Sequence, residues 1–348
     1  MKAGRTLQEL AIELDRQAAT KRDFVVNSER MSMSADQFIL SHNNGEDLQF
    51  SMSGLFHRQL GSTLGIPAKY YDRMRTDYPA LLTSNVNGWL GREAEKHTVR
   101  TLDGTARAFL SDRYRRIDNY EVAKAALPIL SEMADVRVES CDITENRMYI
   151  KAVNPRLEAE VSKGDIVQAG IVISNSEVGL GSVSIMPLVF RLVCLNGMVV
   201  NDLGKRKYHV GRENEESWDL YSDETLQADD KAFMLKLADI VRSAVDEAKF
   251  GMIIDKLRDA AGVKITGNIP DVVELTARQY GFNKTVETDI LQQLILGGDF
   301  SLLGLGNAVT RMSADVDNYD HATQLEATGW QIATMERSMW RDLNGAVV

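Results

Sequence analysis

Two long apolar runs joined by a glycine-containing turn constrain the fold of this 348-residue chain more than any other feature. Residues 165–176 and 183–200 are rich in valine and isoleucine, and two glycines lie in the connection 177–182. Branched apolar residues favour strands, and runs of this length bounded by turn residues are typical of a β-hairpin with a buried face. We therefore expect residues 165–200 to form a long hairpin at the centre of a sheet.

Polar side chains interrupt both runs. A polar group inside a buried strand costs free energy unless it is hydrogen-bonded or paired. The sequence therefore predicts a structural polar core in the hairpin, with a buried ion pair between Arg191 and Glu177. The members of this predicted core are Asn175, Glu177, Arg191 and Asn196.

The spacing of apolar residues changes along the chain. In the first part, short helical patterns alternate with strand patterns, and Asp103-Gly104 indicates a tight hairpin turn. In the second part, apolar residues recur at helical spacing throughout. We predict an α+β fold, with a β-rich mixed body of antiparallel strands and helices over residues 1–212 and an all-helical domain over residues 213–348. Two long helices are expected in the second part, over 225–250 and 320–339.

Charge is distributed unevenly along the chain, whose net charge is −10. Residues 1–212 carry 28 Lys and Arg against 26 Asp and Glu, whereas residues 213–348 carry 12 against 24. Phosphate binding needs clustered basic residues, so any contact with nucleic acid is expected in the first part. The acidic second part would repel phosphate and suits a partner protein or self-association.

The first candidate binding segment interleaves arginines with aromatic rings at residues 107–116. Sites for single-stranded nucleic acid use this combination, because arginine contacts phosphate and a ring stacks on a base. The alternative is that the arginines pair with Asp112, Asp118 and Glu121 on a solvated turn. The candidate residues are Arg107, Arg113, Tyr114, Arg115 and Arg116.

The second candidate binding segment is the basic stretch 201–212, in which only Asp202 opposes the positive charge. It follows a predicted strand, so it can project from a sheet edge towards phosphate. The alternative is pairing with residues 213–230, which hold eight acidic residues and no basic ones. The candidate residues are Lys205, Arg206, Lys207, Tyr208 and His209.

A catalytic role for Cys194 or Glu177 has less support than a structural one. A nucleophilic cysteine usually lies in an accessible, electropositive place. Cys194 lies within a predicted strand, where a packed free thiol is the usual finding. The sequence therefore favours a protein without catalytic residues.

Motifs for cofactors and metals are missing from the sequence. The five histidines show no paired spacing, and Cys141 and Cys194 lie far apart. We expect no cofactor, no bound metal and a reducing, cytoplasmic compartment. No apolar run approaches the about 20 residues that span a bilayer, so no membrane partner is expected.

Several short segments occur in an order that is similar to a known group of proteins. These segments are residues 108–115 with Asp118-Asn119, 174–176, 191–196, 302–310 and Leu325-Glu326. In them the chain resembles the phage- and plasmid-related family of uncharacterised proteins found in bacteriophages, prophages and conjugative plasmids. The resemblance implies a mobile genetic element in the cytoplasm of a bacterial host, and it implies no catalytic residues.

Charge, aromatic residues and resemblance together lead to one functional prediction. We expect a non-enzymatic protein that binds nucleic acid, with single-stranded DNA favoured, in the DNA metabolism or recombination of a phage or plasmid. The alternative is a protein-interaction factor that modulates a host enzyme through residues 213–348. Self-association through the same acidic region is a further expectation.

Overall fold

Two antiparallel sheets and the helices packed on them make up the structure. The computed structural model describes residues 1–41, 45–92, 94–133, 135–203, 205–207, 223–243 and 247–345. The strands are β1 (Arg22–Asn27), β2 (Met31–Ser34), β3 (Gln37–Leu40), β4 (Leu48–Met52), β5 (Lys96–Leu102), β6 (Thr105–Ser111), β7 (Arg137–Ile143), β8 (Met148–Ser162), β9 (Asp165–Asn175), β10 (Val183–Arg191), β11 (Asn196–Val199) and β12 (Lys205–Lys207).

Helices lie before, between and after these strands. They are α1 (Leu7–Thr20), α2 (Gly54–Thr63), α3 (Ala68–Asp77), α4 (Pro79–Leu90), α5 (Asn119–Glu132), α6 (Asp223–Ser243), α7 (Glu247–Gly262), α8 (Ile269–Gln279), α9 (Lys284–Gly297), α10 (Leu302–Arg311), α11 (Tyr319–Ala333) and α12 (Arg337–Gly345). From α6 onwards the described residues form helices and their connections, so the predicted α+β class with an all-helical C-terminal part is confirmed.

The first sheet, sheet I, has the strand order β1-β5-β6-β4-β3-β2. Its pairs are antiparallel except for the short parallel pair of β4 with β6. The predicted turn between β5 and β6 is confirmed, since Asp103 and Gly104 both have positive φ. A two-residue turn of this kind follows the right-handed twist of the strands it joins.

Helices α2, α3 and α4 cover one face of sheet I. Ser53 caps α2, and Pro79 opens α4 at the first helical position, where its missing N–H costs nothing. The buried centre is aromatic: the rings of Phe38 and Phe56 lie 4.8 Å apart, and those of Phe56 and Phe109 lie 5.7 Å apart, both edge to face. Sheet I and helices α2, α3 and α4 therefore share a separate hydrophobic core.

The second sheet, sheet II, has the order β11-β10-β9-β8-β7, and β12 pairs with β10. Its central hairpin of β9 and β10 is the one expected from the sequence. The predicted strand over 183–200 is wrong, however, because β10 ends at Arg191 and the chain reverses through Leu192–Leu195 into β11. Leu195 has a φ of +49°, and apolar side chains in this turn imitate the strand pattern.

Helices cover both faces of sheet II. Ile150 and Ile171 pack with α1, α5 and α6, whereas the neighbouring Tyr149 and Val172 pack against Tyr319 of α11. This alternation is the period of two that a sheet buried on both sides requires. Helices α6, α7 and α11 thus share hydrophobic cores with strands that precede residue 212. The domain division at 212/213 stays a prediction, and packing is continuous across it.

Of the two long helices expected in the second part, the one over 320–339 is divided between α11 and α12. The one over 225–250 falls on α6 and α7, and residues 244–246 between them lie outside the described residues. Trp330, Met335 and Trp340 are all buried, so the apolar spacing continues across the break between α11 and α12 and hides it. Within the described ranges, no helix has both the length and the apolar character needed to cross a bilayer.

The core of sheet I contains a histidine that predicts a pH effect. His57 is buried on α2, and its Nδ1 lies 2.9 Å from the Tyr71 hydroxyl. Burial lowers the pKa of His57 from its ordinary 6.5 to about 4. The unfolded chain binds the proton first, so this contribution to stability is complete above pH 6.5 and is lost as pH falls towards 4.

We expect the free energy of unfolding to fall between pH 6.5 and 4, by up to about 1.4 kcal/mol per pH unit from this one group. Urea titrations at several pH values measure it. His57→Asn should flatten the slope, while the matched change at exposed His321 should leave the slope as it is. An unaltered slope in His57→Asn would show that this histidine does not carry the effect.

Candidate functional site

Most residues of the first candidate segment have partners inside the protein. Tyr114 is buried and its hydroxyl donates to the Ser176 carbonyl at 3.1 Å, so its ring is not free to stack on a base. Arg115 pairs with Asp229, and Arg116 lies 3.6 Å from Asp23. These carboxylates differ from the three expected from sequence neighbours. Arg113 of the same segment is exposed.

Arg107 belongs to a group of six charged side chains, which we call the Glu177 cluster. Its members are Lys21, Asp23, Arg100, Arg107, Asp118 and Glu177. Glu177 is buried on the connection between β9 and β10, and its carboxylate accepts from Arg107, from Lys21 at 3.2 Å and from the Asn119 backbone N–H at 2.7 Å. The predicted Arg191–Glu177 pair is therefore wrong, since Arg191 pairs with Asp165.

Arg100 is the second centre of the cluster and is fully buried. Its guanidinium donates to Asp23 at 2.9 Å, to Asp118 at 2.6 Å and to the Glu177 carbonyl at 2.8 Å. Asp118 also accepts from Lys21 at 2.7 Å. The six side chains of the cluster carry three positive and three negative charges, and Arg116 adds a further cation at the solvent side, 3.6 Å from Asp23. The cluster connects β1, β5 and β6 of sheet I to the hairpin of sheet II.

The pKa values in this cluster reflect opposing effects. Burial by itself would raise the pKa of Glu177, but the charges of Arg107 and Lys21 outweigh it, and the pKa lies below its ordinary value. Burial of Asp118 is likewise outweighed by Arg100 and Lys21, which lower its pKa. Both carboxylates are thus ionised at neutral pH and hold the cations in place, which indicates a structural role.

The second candidate segment is only partly described. Lys205–Lys207 form β12, whose backbone pairs with Val183–Ile185 of β10. Tyr208 and His209 lie outside the described residues. The backbone of these three residues therefore joins sheet II as a strand instead of projecting from its edge, and contact of the segment with phosphate stays a prediction.

The remaining members of the predicted polar core lie at two places. Asn175 is buried and donates to the Ile117 carbonyl at 3.0 Å and to Asn119 at 2.9 Å, which links β9 to the start of α5. Asn196 is also buried and donates to the Thr310 hydroxyl of α10. Each amide nitrogen is thus hydrogen-bonded within the fold, whereas Asn196 Oδ1 has no partner in the described chain.

Cys194 lies on the turn between β10 and β11 rather than inside a strand, which corrects the sequence prediction. It is partly buried, and both of its neighbours are exposed. Its Sγ accepts hydrogen bonds from Arg311 at 2.9 Å and from Arg191 at 3.6 Å. The thiol therefore occupies the accessible, electropositive kind of place that its sequence position did not indicate.

A further surface, which the sequence analysis missed, lies on α3 and α4. Its exposed rings are Tyr70, Tyr78 and Trp89, which are 47%, 62% and 43% accessible. The Arg92 guanidinium lies over the Trp89 ring, 5.2 Å from its centroid. Tyr78 lies immediately before α4, Trp89 lies in its last turn and Arg92 follows the helix.

The charge of this surface is opposite to that of the whole chain. Residues 54–92 carry five basic and two acidic side chains, a net charge of +3 in a chain of −10. All five basic side chains are exposed: Arg58 on the neighbouring α2, Lys69, Arg73 and Arg75 on α3, and Arg92 just after α4. We call these side chains, together with Tyr70, Tyr78 and Trp89, the α3–α4 surface.

A cavity of about 330 Å³ lies beside α1, near the turn between β5 and β6. Within its lining Arg16 contacts both Glu13 and Asp103, and Arg107 pairs with Glu177. Across the part of the chain that the structure describes, no group of three or more His, Cys, Asp or Glu side chains is arranged to hold a metal ion.

Comparison with known proteins gives one match. Residues 108–213 match a family model described as Domain of unknown function (DUF932), which is less than a third of the chain. The matched segment contains Glu177 and Cys194 but neither α3 and α4 nor α10. A search of curated proteins and a search of solved structures found no match.

Proposed function

We propose that this protein binds single-stranded nucleic acid through the α3–α4 surface, with single-stranded DNA the favoured ligand. The observation that carries the proposal is the exposure of three aromatic rings among five exposed basic side chains. Aromatic rings stack on bases of any sequence, and basic side chains follow the phosphates. The setting that the sequence resemblance implies is a mobile genetic element in a bacterial host.

The geometry of α4 supports this use. Tyr78 and Trp89 lie eleven residues apart on one side of the helix, a distance of about 16 Å along its axis. This separation lets the two rings stack on different bases of one strand. The helix is anchored, because Leu82, Val86 and Leu90 are buried in the core of sheet I. The rings therefore stand on a rigid support.

The distribution of charge favours the α3–α4 surface, in preference to the Arg107–Arg116 segment, as the binding site. Arg73 is the one basic member with an acidic partner in the described chain, Asp77 at 3.7 Å on the solvent side. An exposed pair at this distance is weak and is readily exchanged for phosphate. By contrast, Arg107 is tied to buried Glu177. Releasing Arg107 would leave that carboxylate uncompensated.

We expect Tyr78→Ala and Trp89→Ala each to weaken binding of a labelled oligothymidylate by about 1–3 kcal/mol, which is about 5- to 150-fold in Kd. Fluorescence anisotropy at low salt measures the affinity. The matched control is Tyr120→Ala, which removes an exposed tyrosine of α5 outside the surface. Unchanged affinity in both surface variants, or no binding by the parent protein, would reject the proposal.

Salt dependence separates the α3–α4 surface from the earlier candidate segment. Lys69→Gln and Arg75→Gln should each reduce the slope of log affinity against log salt by about 0.7, the value for one phosphate of a single strand. Arg113→Gln, which removes an exposed arginine of the first candidate segment, should leave the slope unchanged. A reduced slope in Arg113→Gln alone would move the interface to that segment.

A second candidate function rests on the acidic helical part. Residues 213–348 carry a net charge of −12, and α9 exposes Ile295 and Leu296 to 58% and 69%. Exposed apolar side chains within an acidic surface suit a basic partner protein. The substitution Leu296→Ser in an otherwise unaltered chain should then abolish a specific pull-down from bacterial lysate while leaving oligothymidylate binding intact.

A further inference from the structure

The turn between β10 and β11 meets α10 at a polar contact that the proposed function does not use. Arg311, at the end of α10, donates to Cys194 Sγ at 2.9 Å and to the Gln293 carbonyl of α9 at 3.2 Å. Arg191, at the end of β10, donates to the same sulfur at 3.6 Å. Two guanidinium groups from different elements thus converge on one thiol.

Buried polar atoms on the elements that form this contact have no partner. Asn196 and Asn307 are 3% and 6% exposed, and Asn196 Oδ1, Asn307 Nδ2 and Arg311 Nε make no hydrogen bond within the described chain. Asn196 follows Cys194 by two residues and contacts Thr310. Asn307 lies one helical turn before Arg311, on the same side of α10. Of these atoms, Arg311 Nε belongs to the side chain that contacts Cys194 directly.

Unpartnered buried donors are uncommon in folded proteins and call for an explanation. Here the unpartnered Nε–H belongs to the Arg311 guanidinium, which already contacts the Cys194 sulfur. An oxygen added to that sulfur would be a suitable acceptor for this N–H. The turn also gives access, because Val193 and Leu195 on either side of Cys194 are more than half exposed.

We propose that Cys194 is a modification site, a thiol that hydrogen peroxide oxidises to the sulfenic acid within the Arg191–Arg311 contact. The sulfur attacks as the thiolate, a sulfur–oxygen bond forms, and the oxygen–oxygen bond of the peroxide breaks. Sulfur loses two electrons and the peroxide gains them. The departing hydroxide takes a proton from solvent, so that one thiol and one peroxide give one sulfenic acid and one water.

The second cysteine is an internal control. Cys141 is fully buried on β7, and its thiol donates to the Arg5 carbonyl at 3.2 Å. Burial, together with the charge of Asp142, raises the pKa of Cys141 to about 11. We therefore expect peroxide to leave Cys141 unoxidised under conditions that oxidise Cys194.

The test uses the intact chain, hydrogen peroxide and dimedone, which traps sulfenic acids, followed by digestion and mass spectrometry. We expect the adduct on Cys194 and none on Cys141. Labelling of Cys194 in the folded protein at neutral pH should also be faster than in the same protein unfolded in urea. A buried, inert thiol would show the opposite order, so slower labelling in the folded protein would overturn the proposal.

Arg311→Gln should slow labelling of Cys194 at least about tenfold at neutral pH. Arg311→Lys keeps the charge and should retain part of the rate. The matched control is Arg341→Gln, at an exposed arginine of α12. Because Arg311 also packs against α9, a thermal melt of each variant confirms folding, and an unchanged rate in a folded Arg311→Gln protein would contradict the role assigned to Arg311.

Discussion

Lys151→Met should destabilise the protein by about 3–5 kcal/mol, the usual cost of breaking a buried ion pair. Lys151 of β8 and Glu326 of α11 have fully buried side chains, with Nζ 2.6 Å from the carboxylate. Nζ also lies 4.6 Å from the Tyr319 ring centroid. Methionine fills the space of the lysine stem but leaves the Glu326 carboxylate without a counter-charge. Urea unfolding at neutral pH measures the loss.

The same substitution on the surface gives the matched control. Lys284 pairs with Glu287 at 2.6 Å on α9, but its side chain is 76% exposed. Lys284→Met should therefore change stability by no more than about 0.5 kcal/mol. The double variant Lys151→Met with Glu326→Leu removes both charges and should recover much of the loss. Equal effects at the buried and exposed lysines would refute the buried-pair account.

Glu177→Gln should also destabilise the protein by about 3–5 kcal/mol, although it only replaces one carboxylate oxygen with an amide NH2 group. The substitution leaves Lys21, Arg100 and Arg107 with two carboxylates instead of three. Glutamine also presents an amide N–H towards Arg107, where a donor meets a donor. Glu145→Gln, at an exposed position before β8, is the control and should change stability little. Chemical denaturation of the two variants measures the difference in their free energies of unfolding.

The loss of stability at acid pH tests the same cluster independently. The pKa values of Glu177 and Asp118 are below their ordinary values in the folded protein, so their contribution is complete above about pH 4 and is lost as pH falls further. Glu177→Gln should be less sensitive to acid in that range than the parent protein. Identical acid sensitivity would mean that this carboxylate does not carry the effect.

The sequence predicted the parts of the fold that local pattern decides. The hairpin turn at Asp103-Gly104, the strand pair around residues 165–191 and the α+β class all depend on turn chemistry and apolar spacing within one segment. The break between α11 and α12 was missed because buried residues continue across it. The strand end at Arg191 was missed because exposed Val193 and Leu195 have the composition of a strand.

The candidate site was less accessible to sequence reasoning, because partners come from distant segments. Arg107 finds Glu177, and Cys194 finds Arg311, across separations that no local spacing reveals. A segment that mixes arginine with tyrosine has the same appearance whether its charges face solvent or other charges. The α3–α4 surface had one detectable signal, a local charge of +3 in an acidic chain, and its exposed rings required the three-dimensional structure.

The Glu177 cluster has a consequence for the relation between the two sheets. Two packed apolar surfaces can shift relative to each other at little cost in free energy, because dispersion forces have no preferred direction. Hydrogen bonds between ions do have directions, and guanidinium groups add a planar fork that fixes angles. These directional ion pairs therefore fix the orientation of sheet I relative to sheet II. A ligand bound on the outer side of sheet I would therefore be coupled to the hairpin of sheet II through these ion pairs.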